Sequence, residues 1–580
     1  MMIIAKLEKA LLSALSSIEA EYSGMPELLN KVIVKIEASA DLRFGDYQSN
    51  IAMMLAKQVK TNPRELATKL VDELNSKQLN ELATADIAGP GFINFKITES
   101  TWAACMAELS KGDRLGVPLA EKSETIVIDF SSPNVAKPMH VGHIRSTIIG
   151  DSLTRIARFL GHKVITDNHI GDWGTQFGMI IYGWKTLLCQ EALATDPVAE
   201  LLKTYRAVNA KCGEDESIRE VCKQELVKLQ QGDADNLKIW EECVRLSKEG
   251  LQGIYDLLDV QFDYWYGESF YNDRLAPLVD DMLESGVARE SDGAVCVFFG
   301  ENTKMAEQPA LVRKADGGFL YATTDLATID FRVEEWNADQ IWYLVGVPQQ
   351  LHFQQIFEAT KLRGLSPTMQ HVAFGSILGE DRKLMKTRSG DNVQLVDVLH
   401  ESIERAAKAI EEKNPEMDPA EKKEVAEIVG IGAVKFAELS QHRMTDYIFS
   451  WDRMLALTGD TAPYLQYSYV RIRSIFRKLD EGVQLSCENL VVKEDAEIHL
   501  ARMLVRFGEV VPSLLNDFRP NLLANYLLEL ARAFHSYFEA CPVLKSEGEV
   551  RDSRLVLCDL TAKVLEQGLG LLGVNVPERM

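Results

Sequence analysis

Between residues 125 and 166 the spacing of apolar positions changes period twice. A mostly apolar run over 125–130 predicts a buried strand, and Ile144, Ile148, Ile149, Leu153, Ile156 and Leu160 then recur at the spacing of a helix with one apolar face. Gly161 stands where such a helix would stop, and 163–166 is apolar again. The pattern is that of a strand, a crossover helix and a second strand, the repeating unit of a parallel sheet. In such sheets ligands bind beyond the carboxyl ends of the strands, which is where residues 131–143 fall.

The same reading divides the rest of the chain. Residues 1–110 open with helical periodicity and hold Phe44-Gly45-Asp46-Tyr47-Gln48-Ser49-Asn50 and Gly89-Pro90-Gly91-Phe92-Ile93-Asn94-Phe95, which suggests a small α+β domain. A polar linker at 111–116 precedes an α/β region extending to 395. That region is interrupted over about 186–262 by a charge-rich helical insertion with the apolar stripe Trp240, Val244, Leu246, Leu251, Ile254, Leu257 and Leu258. Short strands at 294–299, 311–313, 340–345 and 371–375, alternating with helices at 326–336 and 352–362, are expected to complete the parallel sheet. A charged, proline-punctuated stretch at 411–424 reads as a connector, and helices dominate beyond Val425 within a third region, 396–580.

Composition narrows the function classes. Of 580 residues, 46% are apolar and 26% charged, which fits several ordinary globular domains. No apolar run approaches the roughly 20 residues of a membrane helix, and the start of the chain does not read as a signal peptide, so a cytoplasmic location is expected. The 9 cysteines are scattered without a Cys-x-x-Cys pair, so neither a disulfide framework nor a structural metal site is indicated. A net charge of −23 excludes indiscriminate coating of nucleic acid but leaves room for a local basic face.

The chemistry concentrates in Ser131-Ser132-Pro133-Asn134-Val135-Ala136-Lys137-Pro138-Met139-His140-Val141-Gly142-His143. His140 and His143 are three apart at a helix start, so they share a face where backbone N–H groups are unpaired and anions are attracted. Lys137 adds charge, and Gly142 lets a flat ligand such as adenine lie against the main chain. The pattern points to a nucleotide phosphate site, although a His-x-x-His pair also caps helices and binds metals. A second cationic loop, residues 379–390, holds Arg382, Lys383, Lys386 and Arg388, suited to closing over a triphosphate. Near the carboxyl end, Tyr464, Gln466, Tyr467, Tyr469, Arg471 and Arg473 interleave rings with cations, the combination that unpaired RNA bases and phosphates require; helix packing would account for about half of the rings.

Together the His140–His143 element and the Lys383–Arg388 loop resemble the two signatures of class I aminoacyl-tRNA synthetases. The run from Ser132-Pro133-Asn134 through Arg145-Ser146-Thr147-Ile148-Ile149-Gly150 to Asn168-His169-Ile170-Gly171-Asp172-Trp173-Gly174-Thr175-Gln176-Phe177-Gly178 is similar to the arginyl-tRNA synthetase family, and the resemblance spans essentially the whole chain. It implies a Rossmann-like α/β catalytic domain, an α+β N-terminal domain that contacts the tRNA elbow through residues such as Tyr47 and Asn50, and an all-α C-terminal bundle that binds the anticodon. It also implies two steps, adenylation of L-arginine by ATP with Mg²⁺ and transfer to the 3′ end of tRNA(Arg), by a protein expected to be a monomer.

The second signature is degenerate. It aligns with Lys383 first or one residue later, so which lysine carries the transition-state charge stays open, and by resemblance Lys137 supplies part of it. A planar guanidinium demands carboxylates in fork geometry with an aromatic or amide neighbour. Asp325 and Tyr321, four apart on one expected helical turn, are candidates for it, with Glu268 as a second carboxylate and Gln349 as an amide; from the residues alone a helix cap, a half-buried core ring, a surface carboxylate and a loop residue are the plainer readings, and the resemblance favours the pocket. By resemblance Asn134 holds the backbone groups of the amino acid; His352, shortly after Gln349, is a candidate for the ATP side, with helix packing as the competing role. The competing readings are another class I synthetase, such as one for cysteine, whose clustered zinc ligands are missing from this sequence, a small nucleotidyltransferase sharing the histidine signature, which would not need the long helical C-terminal region, and an inactive synthetase fold retained for RNA binding.

Overall fold

Four short strands, Thr368–His371, Gln340–Tyr343, Thr125–Asp129 and Lys163–Asp167, lie side by side in that order and run parallel. This computed structural model describes all residues except 1–2, 23, 30–32, 40–41, 301–304, 380–381, 384, 386–392 and 480–484. The register pairs Tyr343 with both His371 and Asp129, and Asp129 with Asp167, so these four residues form one row at the carboxyl edge. The crossover helix is Ile144–Phe159; it ends at Leu160, and Gly161 takes φ +91, the left-handed conformation that favours glycine. Its apolar stripe is buried, and so are Arg145, Thr147 and Asp151, because the helix is covered on more than its sheet face.

Two of the expected strands belong elsewhere. Ala294–Val297 and Ala310–Arg313 join Ala288–Ser291 in a separate antiparallel sheet, not in the parallel one. The cause is the turn between Ala288–Ser291 and Ala294–Val297, where Asp292 (φ +51) and Gly293 (φ +79) are both left-handed. Such a turn matches the twist of a hairpin and closes it locally. The expected run at 371–375 begins where its strand ends: Val372 still donates to the Tyr343 carbonyl (2.9 Å), but the Gly375 N–H has turned to Arg443 (2.9 Å).

The insertion is helical, with Gln190–Thr195, Pro197–Glu214, Glu216–Gln230 and Ala234–Leu257 following Gln176–Thr186. Asp196, Asp215 and Asp233 precede the three long helices, and each accepts backbone N–H bonds from the first turn. Their core gathers Ile180, Ile181, Leu201, Leu229 and Val244 around Val135 and Ala136 of the signature loop. Leu395–Lys413 and Pro419–Leu439 pack on each other, and the second is tied to the crossover helix by a buried ion pair, Arg145 Nε to Glu438 Oε1 at 2.5 Å. All of these elements fall in one unit, residues 119–466 with 514–524 and 569–580.

The other unit combines residues 1–118 with 467–513 and 525–568. Its antiparallel sheet runs Glu37–Ala38, Tyr47–Ser49, Phe92–Ile97, Ala83–Ala88. Gly45 is required there: φ is +109, and a Cβ would stand 2.7 Å from the Phe95 carbonyl oxygen. Next to it, Asp46 accepts from the Ile97 N–H at 2.8 Å. The Glu99–Leu109 helix packs on Asp495–Ser513, and the Arg502 guanidinium donates to the Ser39 carbonyl at 2.8 Å, so N-terminal and C-terminal segments share one core.

Candidate active site

From Asp129 the chain leaves the sheet through a bend in which Ser131 (φ +71), Ser132 (φ +46) and later Ala136 (φ +58) are left-handed. A non-glycine residue there costs about 1–2 kcal/mol, so something must hold the loop. Ser146 Oγ accepts from the Ser131 N–H (2.8 Å) and donates to the Leu344 carbonyl (2.7 Å). Asn168 Oδ1 accepts from the Ser132 N–H (3.1 Å), and Ser132 Oγ donates to Asp129 Oδ1 (2.9 Å). At about 1 kcal/mol net apiece, such bonds offset the strain and leave a single loop conformation.

Asn134 bridges Gly171 as a short parallel pair, with Val135 N donating to the Gly171 carbonyl and Gly171 N to Pro133. A Cβ on Gly171 would lie 2.4 Å from the Asn134 amide oxygen, so the glycine permits this approach. The two family-like stretches seen in the sequence are thus joined backbone to backbone.

His140 caps a 3-10 turn, Val141–His143, that leads into the crossover helix. The two imidazoles are 4.0 Å apart between ring centres. Contrary to the expectation of unpaired N–H groups, every N–H of this turn is taken: His140 N by His143 Nδ1 (3.1 Å), Gly142 N by His140 Nδ1 (3.0 Å), Val141 N by the Val393 carbonyl and His143 N by the His140 carbonyl. Because its Nδ1 accepts, the neutral His140 ring carries its proton on Nε2; His143 does the same when its Nδ1 accepts from His140 N, and in the other tautomer that Nδ1 would donate to the His140 carbonyl at 3.3 Å. Burial lowers the pKa of both, and burial together with the neighbouring His140 pushes His143 down to about 4. The pair is therefore a set of neutral donors near pH 7, and positive charge must come from elsewhere. Gly142 has a second reason besides a flat ligand: a Cβ would stand 2.8 Å from the His140 ring.

Lys137 lies with its ammonium 5.6 Å from the centre of the Tyr205 ring. Lys383 is exposed beside a tight turn in which Gly379 N donates to its carbonyl (2.8 Å). Lys386 and Arg388 lie outside the described residues.

Tyr321 and Asp325 share the first turns of the helix Tyr321–Glu334. Tyr321 is 71% exposed, and burial and the charge of Glu268 both raise its pKa. Glu268 itself is pushed up to about 7, by burial first and then by Asp172 and Asp325, against the opposing effect of His169. Glu268 therefore lies within charge range of both Tyr321 and Asp325. Asp325 Oδ2 is 2.5 Å from His352 Nε2, so the residues expected on the arginine and ATP sides touch each other. Gln349 ends the turn Val347–Gln349 and is exposed.

Sequence reasoning assigned no role to Asp172, although it lies in a quoted motif. Its carboxylate accepts from Ser269 N (2.8 Å) and Ser269 Oγ (2.7 Å), and a Cβ on Gly267 would collide with it at 2.4 Å. Those contacts fix both neighbours of Glu268.

Two residues expected to touch RNA do not present a surface to it. Tyr47 has no exposure, and its hydroxyl donates to Glu509 at 3.0 Å. Gln466 is equally buried, its amide donating to the Ile428 (3.2 Å) and Asn575 (2.8 Å) carbonyls. Strand and helix cores claimed these polar side chains as clips. Asn50 is exposed at the start of a short helix, and Tyr464 is half-buried. Tyr467 is 46% exposed, while Arg471 lies over the Phe538 ring and Arg473 pairs with Asp559 at 2.9 Å.

Comparison with known proteins covers the same chain from end to end. Residues 105–451 match the family model for "tRNA synthetases class I (R), catalytic domain", residues 465–580 that of the "DALR anticodon binding domain", and residues 5–97 that of the "Arginyl tRNA synthetase N terminal domain". The Arginine–tRNA ligase of Picosynechococcus sp. is 42% identical over 589 residues, covering 99% of this chain and 100% of that one. That of Photobacterium profundum is 45% identical over 552 residues, covering 94% and 95%. Among solved structures, arginyl-tRNA synthetase from Plasmodium falciparum aligns with a TM-score of 0.82 at 28% identity over 100% of this chain and 99% of its own. The Thermus thermophilus enzyme, at 24% identity and a TM-score of 0.83 over the whole of both chains, shares the fold.

Proposed function

The chain belongs to the arginyl-tRNA synthetase family, and from that membership we propose how its site residues divide the work. Its activity is that of an arginine–tRNA ligase, which joins L-arginine to ATP as arginyl-adenylate and passes the arginyl group to tRNA. The arginine guanidinium lies between Glu268 and Asp325, with Tyr321 as the aromatic wall and the Gln349 amide at the rim, while Asn134 holds the amino-acid backbone groups. ATP lies on the histidine turn, its adenine against Gly142 and its phosphate oxygens accepting from the Nε2–H groups of His140 and His143. His352, already on Asp325, stands between the two substrates.

In the first step an arginine carboxylate oxygen bonds to the α-phosphorus and pyrophosphate leaves. In the second a terminal ribose hydroxyl of tRNA bonds to the arginyl carbonyl and AMP leaves. Neither step needs a protein nucleophile. With both histidines neutral, the charge that grows on the phosphates falls to Lys137 and to Lys383, Lys386 and Arg388, which act by placement and charge. Mg²⁺ accompanying ATP would supply further positive charge to the phosphates. Tyr464, Tyr467 and Arg471 face the anticodon loop, with Arg473 braced by Asp559 behind them, and Asn50 serves the tRNA elbow. The working form is a cytoplasmic monomer.

The observation that carries this reading is the cluster itself: two half-buried carboxylates, Glu268 and Asp325, within charge range of each other, Tyr321 within charge range of Glu268, and His352 in contact with Asp325. Single-turnover adenylate formation tests it. His143→Ala is expected to slow the step by about a hundredfold or more, as losing one donor to a charged transition state does, with arginine binding intact. Glu268→Gln is expected to do the opposite, weakening arginine binding by about tenfold to a hundredfold. Equal effects of both variants on arginine binding would dissolve the division of roles.

A further inference from the structure

The helical insertion touches the signature loop at successive residues. Val135 and Ala136 are buried in the insertion's own core, together with Leu201, Leu229 and Val244. Ala136 N, at one of the left-handed positions, donates to Ser247 Oγ at 3.0 Å. That hydroxyl donates in turn to the Cys243 carbonyl of its own helix at 2.7 Å, so its proton is committed and a lone pair faces the loop. The next residue, Lys137, places its ammonium over the ring of Tyr205 on Pro197–Glu214. On Ser247's own helix, Trp240 Nε1 donates to the Asp172 carbonyl at 2.8 Å.

We infer that the insertion is a positioning device for Lys137, with Ser247 fixing the backbone before it and the Tyr205 ring fixing the direction of its ammonium. This rests on the reading that Lys137 supplies charge to the phosphates. The physical case is simple. A lysine on a flexible four-carbon stem loses much of its value if it wanders, and rotamer freedom of that stem amounts to about 2 kcal/mol. A ring face attracts an ammonium without neutralising it, unlike a carboxylate, so the charge stays available to a phosphate. Tyr205 is a positioning residue in this scheme.

The test is a double-mutant cycle read by single-turnover adenylate formation, with KM values for ATP and arginine and a thermal melt for each variant. Tyr205→Phe keeps the ring face and is expected to stay within about twofold of the wild type. Tyr205→Leu keeps apolar packing but loses the face, and is expected to lower kcat by about two- to tenfold with arginine KM unchanged. In a Lys137→Ala background, Tyr205→Leu is expected to cost nothing more. If it slows the reaction equally in both backgrounds, or if it speeds the wild type, Tyr205 does not act through Lys137 and the inference falls alone. If Lys137→Ala leaves the rate unchanged, the charge-supplying role of Lys137 falls and takes the inference with it. A fall in melting temperature matching the loss of rate across both Tyr205 variants would also overturn it, since Tyr205→Phe and Tyr205→Leu would then differ only in fold.

Discussion

At the scale of residues, Glu268 carries the plainest consequence. Burial and two neighbouring carboxylates bring its pKa to about 7, so at neutral pH the free protein is a mixture of protonated and ionised forms. Only the ionised form attracts a guanidinium. Arginine KM is therefore expected to be flat above pH 7 and to rise about tenfold per unit below it, and Glu268→Gln should remove that inflection. An unchanged inflection in the variant would assign it to another group. The histidine pair was legible in the sequence as the cap of the crossover helix, yet its electrostatics were not. Spacing alone suggested free N–H groups, whereas the folded turn uses them internally, and burial, which spacing does not show, keeps both rings neutral. The same limit explains Tyr47 and Gln466: a motif shows that a residue matters, but exposure is decided by what packs over it from elsewhere in the chain.

At the scale of elements, the change of period at 125–166 was enough to give the parallel unit, because buried strands and a one-faced helix write different patterns. The strands at 294–297 and 310–313 were found but misplaced, since apolar runs do not say which sheet they join. The Asp292-Gly293 pair was the available signal, a turn that closes hairpins locally. The grouping of Pro419–Leu439 with the catalytic strands had no such signal, because it depends on the buried pair Arg145–Glu438, almost three hundred residues apart in the chain. Removing one partner leaves a buried charge without compensation, so Glu438→Ala is expected to cost about 3–5 kcal/mol, read as earlier urea unfolding of the unit that holds the strands. A shift under about 1 kcal/mol would mean that water reaches Arg145 and the pair is not a clamp.

At the scale of the whole molecule, a net charge of −23 is compatible with tRNA binding only if the contact surface is local and carries its own cations, and stacking rings add attraction that does not depend on charge. Tyr467, 46% exposed on the helix Ala462–Phe476, has the form of a stacking platform. Tyr467→Ala is expected to raise the KM for tRNA by about five- to a hundredfold, the range of one lost base stack, while leaving the KM for arginine unchanged. A change in both would place the residue in a shared structural role. The most direct measurement of the account as a whole is ATP–pyrophosphate exchange with each amino acid separately, with and without total tRNA. The pocket of Glu268, Asp325 and Tyr321 predicts exchange with arginine and with no other amino acid. Exchange supported equally by lysine or by an uncharged amino acid would contradict the guanidinium pocket on which the account stands.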